Sequence, residues 1–383
     1  MTVTKALGFR SAGIAAGIKD NDALDLALVV NDGPQYVAAG RFTSNRVQAA
    51  PVMWSRQVLA AAKVRAVVLN SGGANACTGP EGFADTHRTA ESVAANLSCS
   101  AAEVAVCSTG LIGERLPIEA LLNAIPEAVS MLGTDDDRAA AQAIMTTDSV
   151  PKHTSRTTSG WTIGGMAKGA GMLAPGLATM LVVITTDALI DSAIAEEALG
   201  HACRHTFDRL DSDGSMSTND TVLLLASGAA GIEVDVETFT SELTAVCHDL
   251  GMQMLADAEG STKDIAITVT GAASEDDAVE VARCVARDNL VKTALYGSDP
   301  NWGRIVAAIG TSQAKFEPDR IDVTINGVQI CRNTAAAANR SLVDLTSRAV
   351  DITIELNAGD DCATVWTNDL SHAYVEENSA YSS

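Results

Sequence analysis

Short apolar, β-branched runs alternate with Ala-rich stretches of helical spacing along nearly the whole chain, and this interleaving restricts the fold more than any other feature. The strand candidates are Leu24–Val30, Ala66–Leu69, Val104–Cys107, Met180–Thr185, Thr221–Leu225, Ile265–Thr270, Ile321–Ile325 and Ile352–Leu356. Helices are expected over Thr86–Leu97, Ile118–Met131, Ile194–His205, Thr238–Ala258 and Glu275–Lys292. Elements mixed in this order predict an α/β or α+β layered fold. Aromatics are only 4% of the 383 residues, so the layers must be sealed by Ala, Val, Leu and Ile. A chain of this length exceeds the size at which one core usually stops growing, and two or three packed units are expected. No repeat with a period of about 20 to 50 residues suggests a solenoid or propeller. The polar, threonine-rich stretch 148–160 reads as a surface loop.

Charge and cysteine usage exclude several classes of function. A formal charge of −22, with no Lys/Arg cluster to make a basic groove, argues against a nucleic-acid partner. The eight cysteines at 77, 99, 107, 203, 247, 284, 331 and 362 form no C-x-x-C pair and no zinc-type spacing, and they read as buried thiols of a reducing cytosol. No window of about 18 apolar residues occurs, so no membrane span is expected and a cytoplasmic location is. His201 and His205 stand four apart but lack the glutamate of an H-E-x-x-H site, and no metal is expected. Asp211–Asp220 only superficially resembles a calcium loop, because Gly214 comes too early.

Chemistry concentrates in the stretch 164–187, GGMAKGAGMLAPGLATMLVVITTD, which runs from glycines through Pro175–Gly176 into an apolar strand. Thr179 stands at the junction. A mid-chain threonine hydroxyl is a poor nucleophile, but it gains a built-in base if the bond after Ala178 is broken. That base would be its own α-amine, whose ordinary pKa of about 7.7–8.0 leaves a neutral fraction at physiological pH. A Gly/Pro turn entering a buried strand accounts for the same residues without chemistry. Val104–Glu114, VAVCSTGLIGE, empties a short strand into Thr109–Gly110, a junction that can aim a hydroxyl or an amide N–H at one point, as an oxyanion hole requires. Asn70–Gly79, NSGGANACTG, has neither P-loop nor dinucleotide spacing.

The segment KGAGMLAPGLATML at 168–181 resembles the ornithine acetyltransferase family, the glutamate N-acetyltransferases of arginine biosynthesis. The likeness extends, in order, through NSGGANAC (70–77), CSTGLIG (107–113), IMTTD (144–148), FDRLDSDGSMSTNDT (207–221), DAEGSTK (257–263), LYGSDPNWGR (295–304) and the tail LSHAYVEENSAYSS (370–383). The resemblance implies self-cleavage between Ala178 and Thr179, with Thr179 as nucleophile and Thr109 with Gly110 stabilising the oxyanion. Lys168, Glu259, Asn378, Ser383, Thr146, Thr147 and Thr179 match positions that bind the amino-acid substrates.

Its fold implication is a layered α/β/β/α-like sandwich similar to self-processing aminopeptidases of the DmpA type, with smaller carboxyl-terminal α+β units. Divided accordingly, the chain would place its main sandwich at 1–205, a middle α+β segment at 206–280 and a further α+β domain at 281–383. Cleavage would yield fragments 1–178 and 179–383, held together in an α2β2 heterotetramer. The implied reaction moves acetyl from N2-acetyl-L-ornithine to L-glutamate by a ping-pong cycle, with no cofactor. Acetyl-coenzyme A enters only as a co-substrate if the enzyme is bifunctional. Two other readings stay open at this stage: a self-processing amidase or aminopeptidase using the same Thr179, and an uncut amino-acid-binding scaffold.

Overall fold

The computed structural model describes residues 2–134, 138–174 and 180–380. In chain order its first strands are β1 (Phe9–Ile14), β2 (Leu26–Asn31), β3 (Val37–Phe42), β4 (Ala66–Asn70), β5 (Val104–Ser108), β6 (Lys152–Thr158), β7 (Trp161–Lys168), β8 (Leu181–Thr186) and β9 (Thr221–Ala226). They form two sheets, ordered β1-β2-β4-β5 and β3-β9-β8-β7-β6. The helices around them are α1 (Ala50–Leu59), α2 (Gly79–Leu97), α3 (Ile118–Ser130), α4 (Arg138–Ala143), α5 (Ser192–His205) and α6 (Val236–Ala256).

Period-two alternation explains the layering, because successive side chains of a strand point to opposite faces. Leu26, Leu28 and Val30 of β2 join a core with Val93 of α2 and Leu121 and Ile125 of α3. Ala27 and Val29 turn the other way, into a core shared with Leu181, Val183, Leu223 and Leu225 of the second sheet. Val182, Ile184, Val222 and Leu224 in turn meet Leu199 of α5 and Leu243 and Val246 of α6. The order is therefore helices, sheet, sheet, helices: an α/β/β/α sandwich. Every residue of β8 and β9 is buried, and each fully buried Val, Leu or Ile contributes about 1.5–3 kcal/mol. Strand β9 and helix α6, both within 206–280, belong to the sandwich core.

A third sheet follows, from β10 (Asp264–Ala272), β11 (Asp322–Ile325), β12 (Val328–Arg332), β13 (Ala335–Ala336), β14 (Ala349–Glu355) and β15 (Asp361–Asn368), in the order β13-β12-β11-β14-β10-β15. It packs on α7 (Glu275–Arg287), α8 (Asn289–Tyr296) and α9 (Trp302–Ile309) around its own core. The last helix is α10 (His372–Ala380).

Three sequence expectations are corrected. The helix expected over Glu275–Lys292 breaks at Asp288, which is extended (φ −73°, ψ 114°) and turns its carboxylate to cap α8 through Val291 N–H. The stretch 148–160 is not a loop throughout, since β6 pairs antiparallel with β7. Glycines hid that second strand. Gly164 is needed because a side chain there would come within 2.3 Å of the Thr2 carbonyl oxygen, where the amino-terminal segment crosses β7. The cysteines are not uniformly buried: Cys77 and Cys362 are exposed, the first in the turn before α2 and the second on the outer edge strand β15. Among the described residues no helix is long and apolar enough to cross a membrane.

Candidate active site

The two facing sheets bring their ends together at one cleft. Strand β5 ends at Ser108 and delivers Thr109 and Gly110, while β7 of the other sheet ends at Lys168. Lys168 Nζ donates to Thr109 Oγ1 at 3.3 Å, so the cleft closes across the sheet interface. The same cleft is lined by Thr146, Thr147, Glu259 and Asn378, and by Ala74, Ile112, Gly171, Met172, Ser217, Thr218 and Asn219. Seven of the residues singled out from sequence thus converge: Thr109, Gly110, Thr146, Thr147, Lys168, Glu259 and Asn378. Ala178, Thr179 and Ser383 lie outside the described residues. Met180, next in the chain after Thr179, is described, and its neighbour Leu181 pairs with Lys168 across β8 and β7.

The Thr109 corner is held from behind. Its N–H donates to the Asn70 carbonyl at 3.0 Å and its carbonyl accepts from Gly73 N–H at 3.0 Å. Asn219 donates to the carbonyls of Ala74 at 2.6 Å and Ser108 at 2.8 Å, tying the corner to the second sheet. Gly110 has φ +130°, and a Cβ there would stand 2.6 Å from the Gly73 nitrogen, so only glycine fits without displacement.

Beneath Lys168 sits a residue that the sequence reading passed over. Asp148 is fully buried, accepts from Lys152 Nζ at 2.6 Å, and stands 4.0 Å from Lys168 Nζ. It also accepts the N–H groups of Thr146 at 3.0 Å and Gly169 at 2.7 Å, which joins the threonine loop to the end of β7. Burial works to raise its carboxyl, but Lys168, Lys152 and these hydrogen bonds outweigh it and hold it below the usual carboxylate range. The Lys168 ammonium is pushed down by burial, opposed chiefly by Asp148. Lys152 also pairs with Asp257 at 2.6 Å, anchoring the loop to the end of α6. The available signal was the acid closing the IMTTD block, directly after the threonines at 146 and 147.

Glu259 faces the cleft from the turn after α6. Thr147 Oγ1 donates to its Oε1 at 2.7 Å and Asn378 Nδ2 to its Oε2 at 2.9 Å. Gly171 leaves the room, since a Cβ there would fall 2.4 Å from Oε1. Helix α10 reaches this spot because Gly260, at φ +60°, lets it approach: a Cβ would meet the Tyr374 nitrogen at 2.1 Å. Ser371 completes the seat, donating to Gly260 O at 2.5 Å and accepting from Tyr374 N–H at 3.0 Å. The Glu259 carboxyl, bonded to Thr147, and the Lys168 amine, bonded to Thr109, thus line one cleft.

Known proteins bear out the resemblance seen in the sequence blocks. Residues 10–383 match the ArgJ family. The arginine biosynthesis bifunctional protein ArgJ of Streptomyces avermitilis is 61% identical over 383 residues, with the whole of both chains covered. The ornithine acetyltransferase of Mycobacterium tuberculosis, solved complexed with ornithine, is 58% identical over 47% of this chain and 96% of its own, with a TM-score of 0.45. The solved arginine biosynthesis bifunctional protein argJ of Bacillus halodurans is 36% identical, and 52% of this chain covers 98% of that one at a TM-score of 0.50. The chain belongs to the ArgJ family.

Proposed function

We propose that the chain cuts itself between Ala178 and Thr179 and then carries acetyl from N2-acetyl-L-ornithine to L-glutamate on Thr179, within arginine biosynthesis. The convergence of Thr109, Lys168 and Glu259 in one cleft, with Lys168 paired to Leu181 two residues after Thr179, is the observation that carries this reading. Thr179 Oγ1 attacks the Ala178 carbonyl, the acyl group moves from nitrogen to oxygen, and water hydrolyses the ester. Scission leaves an α-amine on the same residue as the hydroxyl, which then serves as its base. The length of the Bacillus halodurans chain favours scission, because nearly all of it is covered by about half of this one.

In the transfer cycle the activated hydroxyl attacks the acetyl carbonyl of N-acetylornithine, ornithine leaves, and the glutamate amine attacks the threonine ester. Thr109 contributes its hydroxyl rather than its amide to the oxyanion, because the amide is committed to Asn70. Gly110 N–H is the second donor. Glu259 receives the ornithine side-chain ammonium, and Lys168 holds negative charge. Ser383 and Asn378 complete the amino-acid pocket from the tail. Neither half-reaction uses a metal or coenzyme, and the cut halves stay together as an α2β2 assembly in the cytoplasm. The relatives' name, bifunctional, favours a second donor reaction, which we assign to acetyl-coenzyme A.

Incubation with acetyl-labelled N-acetylornithine tests the reading. Without glutamate the protein should release about one equivalent of ornithine and retain the label; with glutamate the label should move on to N-acetylglutamate. Steady release of free acetate without glutamate would assign the chain to the hydrolases instead.

A further inference from the structure

Asn219 is a buried residue of the cleft that the reaction above does not use. It lies two residues before β9, in the polar stretch 211–220 that only superficially resembles a calcium loop. That stretch is firmly seated. Thr43 Oγ1 donates to the Ser217 carbonyl at 2.7 Å, and Ala49 N–H donates to the Thr218 carbonyl at 3.0 Å. The Asn219 carbonyl accepts from Thr221 Oγ1 at 3.0 Å, at the start of the strand. From this seat the side chain crosses to the first sheet, where Nδ2 donates to the Ala74 carbonyl at 2.6 Å and the Ser108 carbonyl at 2.8 Å.

An asparagine amide carries two N–H groups, and these two bonds use both. Its Oδ1 accepts from Thr218 Oγ1 at 2.6 Å, and the two carbonyls require the nitrogen to face them, so the amide has one orientation. No donor is left over for a substrate. What the amide holds is the backbone around Thr109. The peptide between Ser108 and Thr109 is gripped at both ends, its C=O by Asn219 and its N–H by the Asn70 carbonyl at 3.0 Å. In the next peptide the C=O accepts from Gly73 N–H at 3.0 Å. A trans peptide points its N–H and C=O in opposite directions, so the Gly110 N–H is aimed away from Gly73. Asn70 and Gly73 steady the corner from within its own sheet, whereas Asn219 ties it to the sheet that carries Lys168.

We propose that Asn219 is a positioning residue for the oxyanion corner, locking the Ser108–Thr109 peptide and the Ala74 loop so that the Thr109 hydroxyl and the Gly110 N–H converge on one point. This rests on the reading of Thr109 and Gly110 as oxyanion donors given above. Without the amide, the Ala74 and Ser108 carbonyls lose their donors and the corner is free to turn. A shift of about 1 Å in a catalytic group is enough to cost about a hundredfold in rate.

Asn219→Ala in the full-length protein, alone and combined with Thr109→Val, tests this as a double-mutant cycle. Scission is followed by intact mass, and kcat and KM for N-acetylornithine are referred to the cut fraction. Asn219→Ala should lower kcat at least tenfold while KM stays within twofold. In the Thr109→Val protein the further loss should be at least threefold smaller, because the hydroxyl that Asn219 positions is already gone. Thermal melting checks the fold, and Asn219→Ser, which keeps one hydrogen-bond donor, takes the place of alanine in the cycle if the alanine variant melts early. A variant with the parent's kcat, or equal losses in the two backgrounds, overturns the role of Asn219. An alanine protein that stays uncut supports the role if Thr109→Val also stays uncut, and overturns it if Thr109→Val is cut. A Thr109→Val protein with the parent's kcat overturns the oxyanion reading itself, which is a separate outcome.

Discussion

Lys168 Nζ and Thr109 Oγ1 meet at 3.3 Å where the ends of two different sheets converge, one side chain from β7 and the other from the residue after β5. Both are buried, so the contact fixes the spacing of the sheets at the cleft as well as its charge. The hydroxyl accepts from the ammonium and therefore keeps its own hydrogen to donate into the cleft.

Thr109→Val removes that donor while preserving shape. The expected loss in kcat is about a hundred- to thousandfold, the usual effect of deleting one oxyanion donor, with KM changed little. Thr109→Ser should recover most of the activity. Steady-state kinetics of both variants check this, and a valine variant with parental kcat would remove Thr109 from the chemistry.

Asp148 neutralises two buried ammonium groups, those of Lys152 and Lys168. Asp148→Asn should cost about 3–5 kcal/mol, because removing one partner of a buried pair leaves uncompensated charge. The folded-state carboxyl lies below its ordinary value, so its stabilisation is complete above about pH 4 and disappears as pH falls through the lower folded value. Urea titrations at neutral and acid pH should show the parent losing this increment while the asparagine variant does not.

Glu259 is held by Thr147 and by Asn378 of the tail helix. Glu259→Gln should raise KM for N-acetylornithine about ten- to hundredfold, the range of a charge-assisted hydrogen bond, and leave the melting temperature close to the parent's. Deleting residues 378–383 should abolish transfer and preserve the fold, since α10 is largely exposed and contributes little to the core. Unchanged kinetics in either protein would separate the tail and Glu259 from substrate binding.

Unbroken apolar runs such as LVVIT in β8 and VLLLA in β9 made the buried strands legible, because strands covered on both faces are apolar throughout. Strand β7 was not legible, since Gly164 and Gly165 interrupt it for the sake of the crossing amino-terminal segment and Leu250. The division at Asp288 was equally hidden, because an aspartate inside a helical pattern becomes a cap only when tertiary packing turns the chain. At the site, sequence blocks pointed to Thr109, Lys168, Glu259 and Asn378, but the contacts joining them span up to 119 residues. Asp148 escaped notice because a buried carboxylate is recognised by its partners, and those are set by the meeting of the two sheets.

Everything proposed for the cleft depends on Thr179 becoming an amino-terminal nucleophile. Intact-mass measurement of the purified protein, before and after brief exposure to N-acetylornithine, tests it most directly. Two fragments of about 18 and 21 kDa are expected, the 39.5 kDa chain divided in proportion to length, with an acetyl adduct only on the fragment beginning at Thr179. An undivided parent that still transfers acetyl, or a Thr179→Ala protein that transfers as fast as the parent, would contradict it.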